Sequence, residues 1–151
     1  MQKELKVSAI KNGTAIDHIP SGALFKVIQI LDLDKSEHQI TFGMNLESKR
    51  MGNKAIIKIA DRYFRDDEVN RISLVAPHAK LNIIKNYEVI EKRVVEVPDF
   101  IEGIAKCINP KCVSNIENIK SKFKVVVKDK VSLLCHYCER ITNQENIVIK
   151  N

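Results

Sequence analysis

All four cysteines of the chain stand in two tight pairs, CINPKC at Cys107 to Cys112 and CHYC at Cys135 to Cys138. Three chemistries use thiols this way: two disulfides, a dithiol redox site, or one metal ion held by all four. The spacing is C-x4-C, then 22 residues, then C-x2-C. Short loops let paired sulfurs converge on one tetrahedral ion, with Zn–S near ~2.3 Å, and the long separation lets two knuckles come from different hairpins. Four thiolates leave no open position for water or substrate, so a zinc held this way is structural. A redox dithiol needs C-x-x-C at a helix start near a βαβ unit, whereas Cys135 ends a strand-like run and Cys138 precedes a polar stretch. The opening MQKELKVSAIKNG has no apolar leader, so the expected compartment is a reducing cytoplasm, where structural disulfides rarely persist. Unligated buried thiols would leave the pairing unexplained. The expectation is one structural Zn²⁺ per chain on Cys107, Cys112, Cys135 and Cys138.

Little else suggests catalysis. None of the four histidines, His18, His38, His78 and His136, lies in a zinc-protease motif or beside a motif nucleophile. His136 sits inside the second knuckle, where four sulfurs already fill the site. The five glycines are never closer than nine positions, which excludes a P-loop and a dinucleotide fingerprint. Nothing in these residues looks like an active site. Lysines remain as ligands for phosphate. In KAIIKIA, strand alternation puts Lys54, Ile56 and Lys58 on one face and Ala55, Ile57 and Ile59 on the other. Two ammonium groups on flexible stems, rooted roughly 13 Å apart along a strand, could grip a polyphosphate. Periodicity alone favours the plainer reading, a solvated outer face. Asp17-His18, before Pro20, reads either as a base-reading pair or as turn polarity.

Composition sets the frame. The chain has 151 residues, 44% hydrophobic and 29% charged, with net charge +6. A tetrathiolate zinc would lower that to about +4 by charge addition. The excess suits an anionic ligand but is mild for a dedicated nucleic-acid binder, and aromatics at 5% with no Trp offer few stacking platforms. No run of eighteen apolar residues predicts a membrane span.

The elements that must position these residues alternate in type. KELKVSAI and GTAIDHI read as strands joined at an Asn12-Gly13 turn. Ala23, Leu24, Val27, Ile28 and Leu31 recur at helical spacing. HQITFGMNL alternates, with Ile40, Phe42, Met44 and Leu46 on one face. KAIIKIA is a further strand. RDDEVNRISLVAP is a helix with Asp66 and Asp67 at its start, a Val69, Ile72 and Val75 stripe, and Pro77 as its stop. AKLNIIKN and YEVIEKRVVEV follow as strands joined at Asn86. This order predicts an α+β fold, a ferredoxin-like split βαβ with an antiparallel sheet and two helices. Pro98 ends it. FKVVVKD, KVSLLC and NIVIK then supply strands of a small all-β zinc-binding domain, too small to rely on its core alone. The expected domains are residues 1–98 and 99–151.

Together KVSAIKNGTAIDHIP, ITFGMNL, MGNKAIIKI, NYEV and the two knuckles resemble the regulatory chain of aspartate carbamoyltransferase, over nearly the whole length. The resemblance implies a non-catalytic subunit of pyrimidine biosynthesis. Its N-terminal allosteric domain would bind CTP or ATP, and its zinc domain would dock a separate catalytic chain. It would also pair with a second copy of itself, with neither nucleic acid nor membrane as a partner. The implied nucleotide site is Val7, Ala9, Ile10, Asp17, His18, Lys54, Lys58, Asn82, Ile84, Tyr87, Val89 and Lys92. Lys92 has the wrong strand parity to share a face with Tyr87 and Val89 unless a bulge intervenes. Three features depart from better-known members. Ser8 replaces a carboxylate, Asn109 and Lys111 stand where two asparagines are usual, and the segment from Phe123 to Cys135 is a residue shorter. Two rival readings belong to other classes: a zinc-ribbon nucleic-acid binder using KNYEVIEKR and KSKFKVVVKDK, and a thiol oxidoreductase.

Overall fold

The computed structural model describes residues 9–150 of the chain. In its first part, strands β1 (Gly13–Ile19), β2 (Ile40–Ser48), β3 (Gly52–Ala60), β4 (Lys80–Lys85) and β5 (Glu88–Val94) alternate with helices α1 (Leu24–Ile30) and α2 (Asp66–Ile72). The strands form one sheet in the order β2-β3-β1-β4-β5, and every neighbouring pair is antiparallel. Because β3 lies between β1 and β2, this is the expected split βαβ, with β5 added by a hairpin at the far edge.

Local chemistry explains the helices. Leu24, Val27 and Ile30 are buried one turn apart on α1. Asp66, Asp67 and Glu68 occupy the first turn of α2, where the helix dipole favours negative charge. Glu68 also accepts the Arg65 backbone N–H at 3.1 Å. This helix stops at Ile72 rather than running to Pro77. There the Ser73 hydroxyl donates to the Asn70 carbonyl. Such a side chain competes with helical bonding. Leu74, Val75 and Ala76 are nevertheless buried.

Three sequence expectations need revision. The strand expected over KELKVSAI falls largely outside the described residues, and Ala9 to Asn12 form no strand. Asn12-Gly13 is therefore not a hairpin turn but the lead-in to β1. Gly13 has φ +138°, and a Cβ there would meet the Ile59 carbonyl oxygen at 2.0 Å, so only glycine fits. On β2, Ile40 and Phe42 stand opposite Ile59 and Ile57, but the register shifts before Leu46, which faces Lys54. Asn45 is left-handed there, with φ 58°, and this bulge moves Leu46 to the lysine face, away from Ile40 and Phe42.

The second part holds β6 (Phe100–Glu102), β7 (Ala105–Lys106), a one-turn α3 (Val113–Ile116), β8 (Lys122–Val127), β9 (Ser132–Cys135), β10 (Ile141–Asn143) and β11 (Val148–Ile149). A four-stranded sheet runs β10-β9-β8-β6, and β11 pairs with β7. The buried apolar residues of both parts form one continuous cluster, from Ile16 and Leu24 through Val75 to Val131, Leu133 and Ile147. No described helix is long and apolar enough to cross a membrane.

Candidate functional site

The four sulfurs come together. All lie within 4.8 Å of one another, with Cys107 and Cys138 at 3.6 Å and Cys112 and Cys135 at 3.7 Å. A tetrahedron with Zn–S near ~2.3 Å has edges of about 3.8 Å, whereas a disulfide needs about 2.0 Å. The donor set therefore fits one zinc and no disulfide. Each pair is held by its own turn. The Asn115 amide donates to the Cys107 carbonyl at 3.0 Å and the Asn109 carbonyl at 2.7 Å, closing the first knuckle. The backbone N–H of Glu139, in the left-handed conformation, donates to the Cys135 carbonyl and closes the second. Ser114 lies 3.1 Å from the Cys112 sulfur. His136 is exposed and outside the cluster.

Without a metal, burial pushes the Cys107 thiol up to about 12. At Cys138 burial acts in the same direction, but the Arg140 backbone N–H, Asn109 and two neighbouring thiols bring it down to about 7. A divalent cation replaces these protons, which is why thiolate sites bind metal with proton release. Cys135-x-x-Cys138 follows β9 rather than opening a helix, so it lacks the setting of a redox dithiol.

The second feature is the face of the five-stranded sheet away from the helices. Ala55, Ile57 and Ile59 are fully buried on the helix side of β3, which leaves Lys54, Ile56 and Lys58 on the other face. Cross-strand register arranges that face in rows. Thr41, Lys58, Ala15, Asn82 and Lys92 stand side by side across the five strands. The next row toward Pro20 holds Asp17, Lys80 and Val94. On the opposite side are Gly13, Ile84 and Val89. The parity conflict is resolved by a register shift between Ile83, which faces Glu91, and Ile84, which faces Val89. Ile90 is the extra residue, and Lys92 and Val89 share the face.

Of the implied nucleotide residues, Val7 lies outside the described residues. Ala9 is exposed, and Ile10 packs against Ala15 and Ile84. Asn86 and Tyr87 are both left-handed, at φ 52° and 67°, and turn the β4–β5 hairpin as a type I′ pair. Tyr87 and Val89 are exposed there. The Tyr87 N–H is already donated to the Lys11 carbonyl, so a base at this end would have to use other backbone groups. Lys54 grips Asp17 at 2.9 Å. His18 is left-handed, and its Nδ1 is buried without a hydrogen-bond partner.

Burial lowers the His18 pKa; Asp17 opposes this, while Lys54, Lys80 and Arg50 add to it. Burial also lowers the Lys58 pKa, against a weaker pull upward from Asp17. Asp17, His18, Lys80, Asn82 and Lys92 line a cleft of roughly 380 Å³. Lys80 was not among the expected site residues, although the parity of KLNIIK places it on the face of Asn82 and Ile84.

A larger cleft, roughly 430 Å³, lies on the four-stranded sheet and is lined by Phe100, Glu102, Lys122, Lys124, Leu134 and His136. It adjoins the metal centre, not the lysine rows, and Phe100 is 69% exposed there.

Fold and site together define an α+β protein: a split-βαβ sheet with a basic face, joined to a small β unit built on a structural zinc centre. The family model for the aspartate carbamoyltransferase regulatory chain, allosteric domain, matches residues 5–96, and that for its metal binding domain matches residues 99–148. Aspartate carbamoyltransferase regulatory chains from Thermococcus sibiricus and Parabacteroides distasonis are 54% and 53% identical, each over 99% of this chain, covering 98% and 97% of their own lengths. That of Pyrococcus horikoshii is 51% identical over 96% of this chain and 97% of its own length. The chain belongs to the aspartate carbamoyltransferase regulatory chain family.

Proposed function

We propose that the chain is a nucleotide-sensing subunit that binds CTP or ATP on the basic sheet face and passes the signal to catalytic chains docked on its zinc unit. In this reading residues 1–98 act as the sensing domain and 99–151 as the docking domain. The observation that carries it is the alignment of Lys58, Asn82 and Lys92 in one row, with Ala15 between them too small to cover the floor. Lys58 and Lys92 then meet phosphates, and Asp17 accepts from a ribose hydroxyl or an exocyclic amine. Exposed groups near Ile10, Tyr87 and Val89 face the base. His18 borders the same cleft, with its Nδ1 3.7 Å from the Asp17 carboxylate.

Docking is supported by the four-stranded sheet. Phe100, Lys124, half-buried Leu134 and Ile141 form one row across its outer face, and apolar residues rimmed by charge are the usual composition of an interface. The zinc holds the knuckles from which that sheet extends. Pairing of two copies belongs to the same reading, as does a cytoplasmic location.

Gel filtration of the chain with and without catalytic trimers, during a CTP titration, tests both halves. Co-elution together with saturable nucleotide binding is expected. Failure to co-elute would overturn the docking role. Steeply salt-dependent binding of DNA or RNA without nucleotide binding would favour a nucleic-acid binder instead.

A further inference from the structure

We infer that Asn115 is a positioning residue for the metal centre: it holds Asn109 where that residue can donate to a sulfur of each knuckle, and so tightens the hold on zinc. The need for such a device lies in the loop lengths. In the second knuckle, C-x2-C, backbone N–H groups serve the sulfurs unaided. Those of Tyr137 and Cys138 are turned to Cys135, and that of Arg140 to Cys138. The first knuckle is two residues longer. A longer loop has more conformations to lose when its two thiolates are brought to one ion.

Asn115 supplies the restraint from outside the loop. It commits both amide protons to it, one to the Cys107 carbonyl at 3.0 Å and one to the Asn109 carbonyl at 2.7 Å. The Asn109 carbonyl also accepts the Cys112 N–H at 3.0 Å, and its side-chain oxygen accepts the Lys111 N–H at 3.1 Å. Held in this way, Asn109 turns its backbone N–H toward the Cys107 sulfur and its side chain toward the Cys138 sulfur. Those two sulfurs, one from each knuckle, are 3.6 Å apart. Ser114 serves Cys112 from 3.1 Å, its hydroxyl being the donor once the sulfur is a thiolate. Every sulfur of the centre then has a donor. A tetrathiolate zinc carries a charge of about −2. Hydrogen bonds spread that charge and make the sulfurs poorer targets for the protons that compete with the metal.

The test is competition for zinc between the full-length chain and pyridylazoresorcinol at fixed pH, together with the absorption spectrum of the Co²⁺-loaded chain. Asn115→Ala, and Asn115→Asp, which sets a carboxylate against both carbonyls, should bind zinc on the order of tenfold more weakly or worse. Asn115→Ser, the mildest change, keeps one donor and should fall between these and the parent. At saturating Co²⁺ the sulfur-to-metal charge-transfer and d–d bands of Asn115→Ala should shift, because the donor to two of the four sulfurs has moved. Asn109→Ala should also weaken binding, and adding Asn115→Ala to it should cost less than it does in the parent, since Asn115 acts through Asn109. Parent-like zinc affinity in the Asn115 variants, a parent-like Co²⁺ spectrum at saturation, or effects at Asn115 and Asn109 that simply add would overturn the inference. So would failure of every Asn115 variant to load metal at saturation, which would mark the residue as required for folding rather than for positioning.

Discussion

Lys58→Ala separates sensing from assembly. Lys58 lies mid-strand on β3, between Thr41 of β2 and Ala15 of β1, with its side chain on the face away from the helices. The apolar packing of β3 is carried by Ala55, Ile57 and Ile59 on the other face. Truncation therefore opens no core cavity, and fold stability should change by about 0.5 kcal/mol or less. Binding should respond far more. A charge-assisted contact contributes about 1.5–3 kcal/mol, and each ~1.4 kcal/mol is tenfold. CTP affinity should fall on the order of tenfold to a hundredfold. Partial burial, which lowers the Lys58 pKa, favours the upper part of that range, because a contact in a less hydrated setting is screened less.

Two measurements read the effect. Calorimetry gives the affinity ratio directly. Thermal denaturation at fixed CTP gives it through linkage: where nucleotide at 100 times the dissociation constant stabilises the parent by about 2.7 kcal/mol, a tenfold weaker variant keeps about half of that. Zinc content and co-elution with catalytic chains should be unaltered. Coupling requires that an effector bind two states of the assembly differently, so reduced occupancy should mute the response at fixed nucleotide. If Lys58→Ala binds CTP and ATP like the parent, the ligand does not lie across the row of Lys58, Asn82 and Lys92.

Two further outcomes follow from the same geometry. A thiol-reactive mercurial should release one zinc per chain and abolish docking, while hydrogen exchange shows that β1–β5 persist; release of no metal would refute the zinc centre, and docking that survives release would refute its structural role. His18 should titrate below 6.5 in the free chain, because burial disfavours its charged form with Lys54, Lys80 and Arg50 adding to this against Asp17. An unfolded chain then binds the proton more readily, so this contribution to stability is present above pH 6.5 and lost as pH falls through that value toward the folded pKa. Bound polyphosphate should raise the His18 pKa, and an NMR titration that shows no rise with CTP would place the phosphates elsewhere.

The metal centre was legible because it depends on residue types at short spacing: loops of four and two residues leave paired thiols few places to go. The order of elements was equally legible, since Leu24, Val27 and Ile30 repeat at helical period and Ala55, Ile57 and Ile59 at strand period. Registers were not. A bulge is invisible to a count of alternation, because one extra residue exchanges the faces of everything beyond it. At Asn45 this carried Leu46 onto the lysine face against the expected pattern. At Ile90 it brought Lys92 onto the face of Val89. Lys80 was overlooked for a related reason: its significance lies in standing opposite Asp17, a relation between two strands more than sixty residues apart.

How the two halves meet was likewise beyond local pattern. The C-terminal unit is not a separate bead held by zinc alone, because Val131, Leu133, Ile147 and Ile149 belong to the same buried cluster as Leu24, Val27 and Val75. The seam is also polar at its rim. Lys26 of α1 donates to the Glu145 carbonyl at 3.1 Å, and His78 lies 2.9 Å from Asp129. A close-packed interior transmits strain rather than absorbing it, so a displacement of α1 would be felt at β11 and the turn before it. The same β1 strand that carries Asp17 on its basic face places Ile16 and Ile19 in the shared core. A ligand that draws on Asp17 thus acts one residue away from side chains in the cluster that the zinc unit completes.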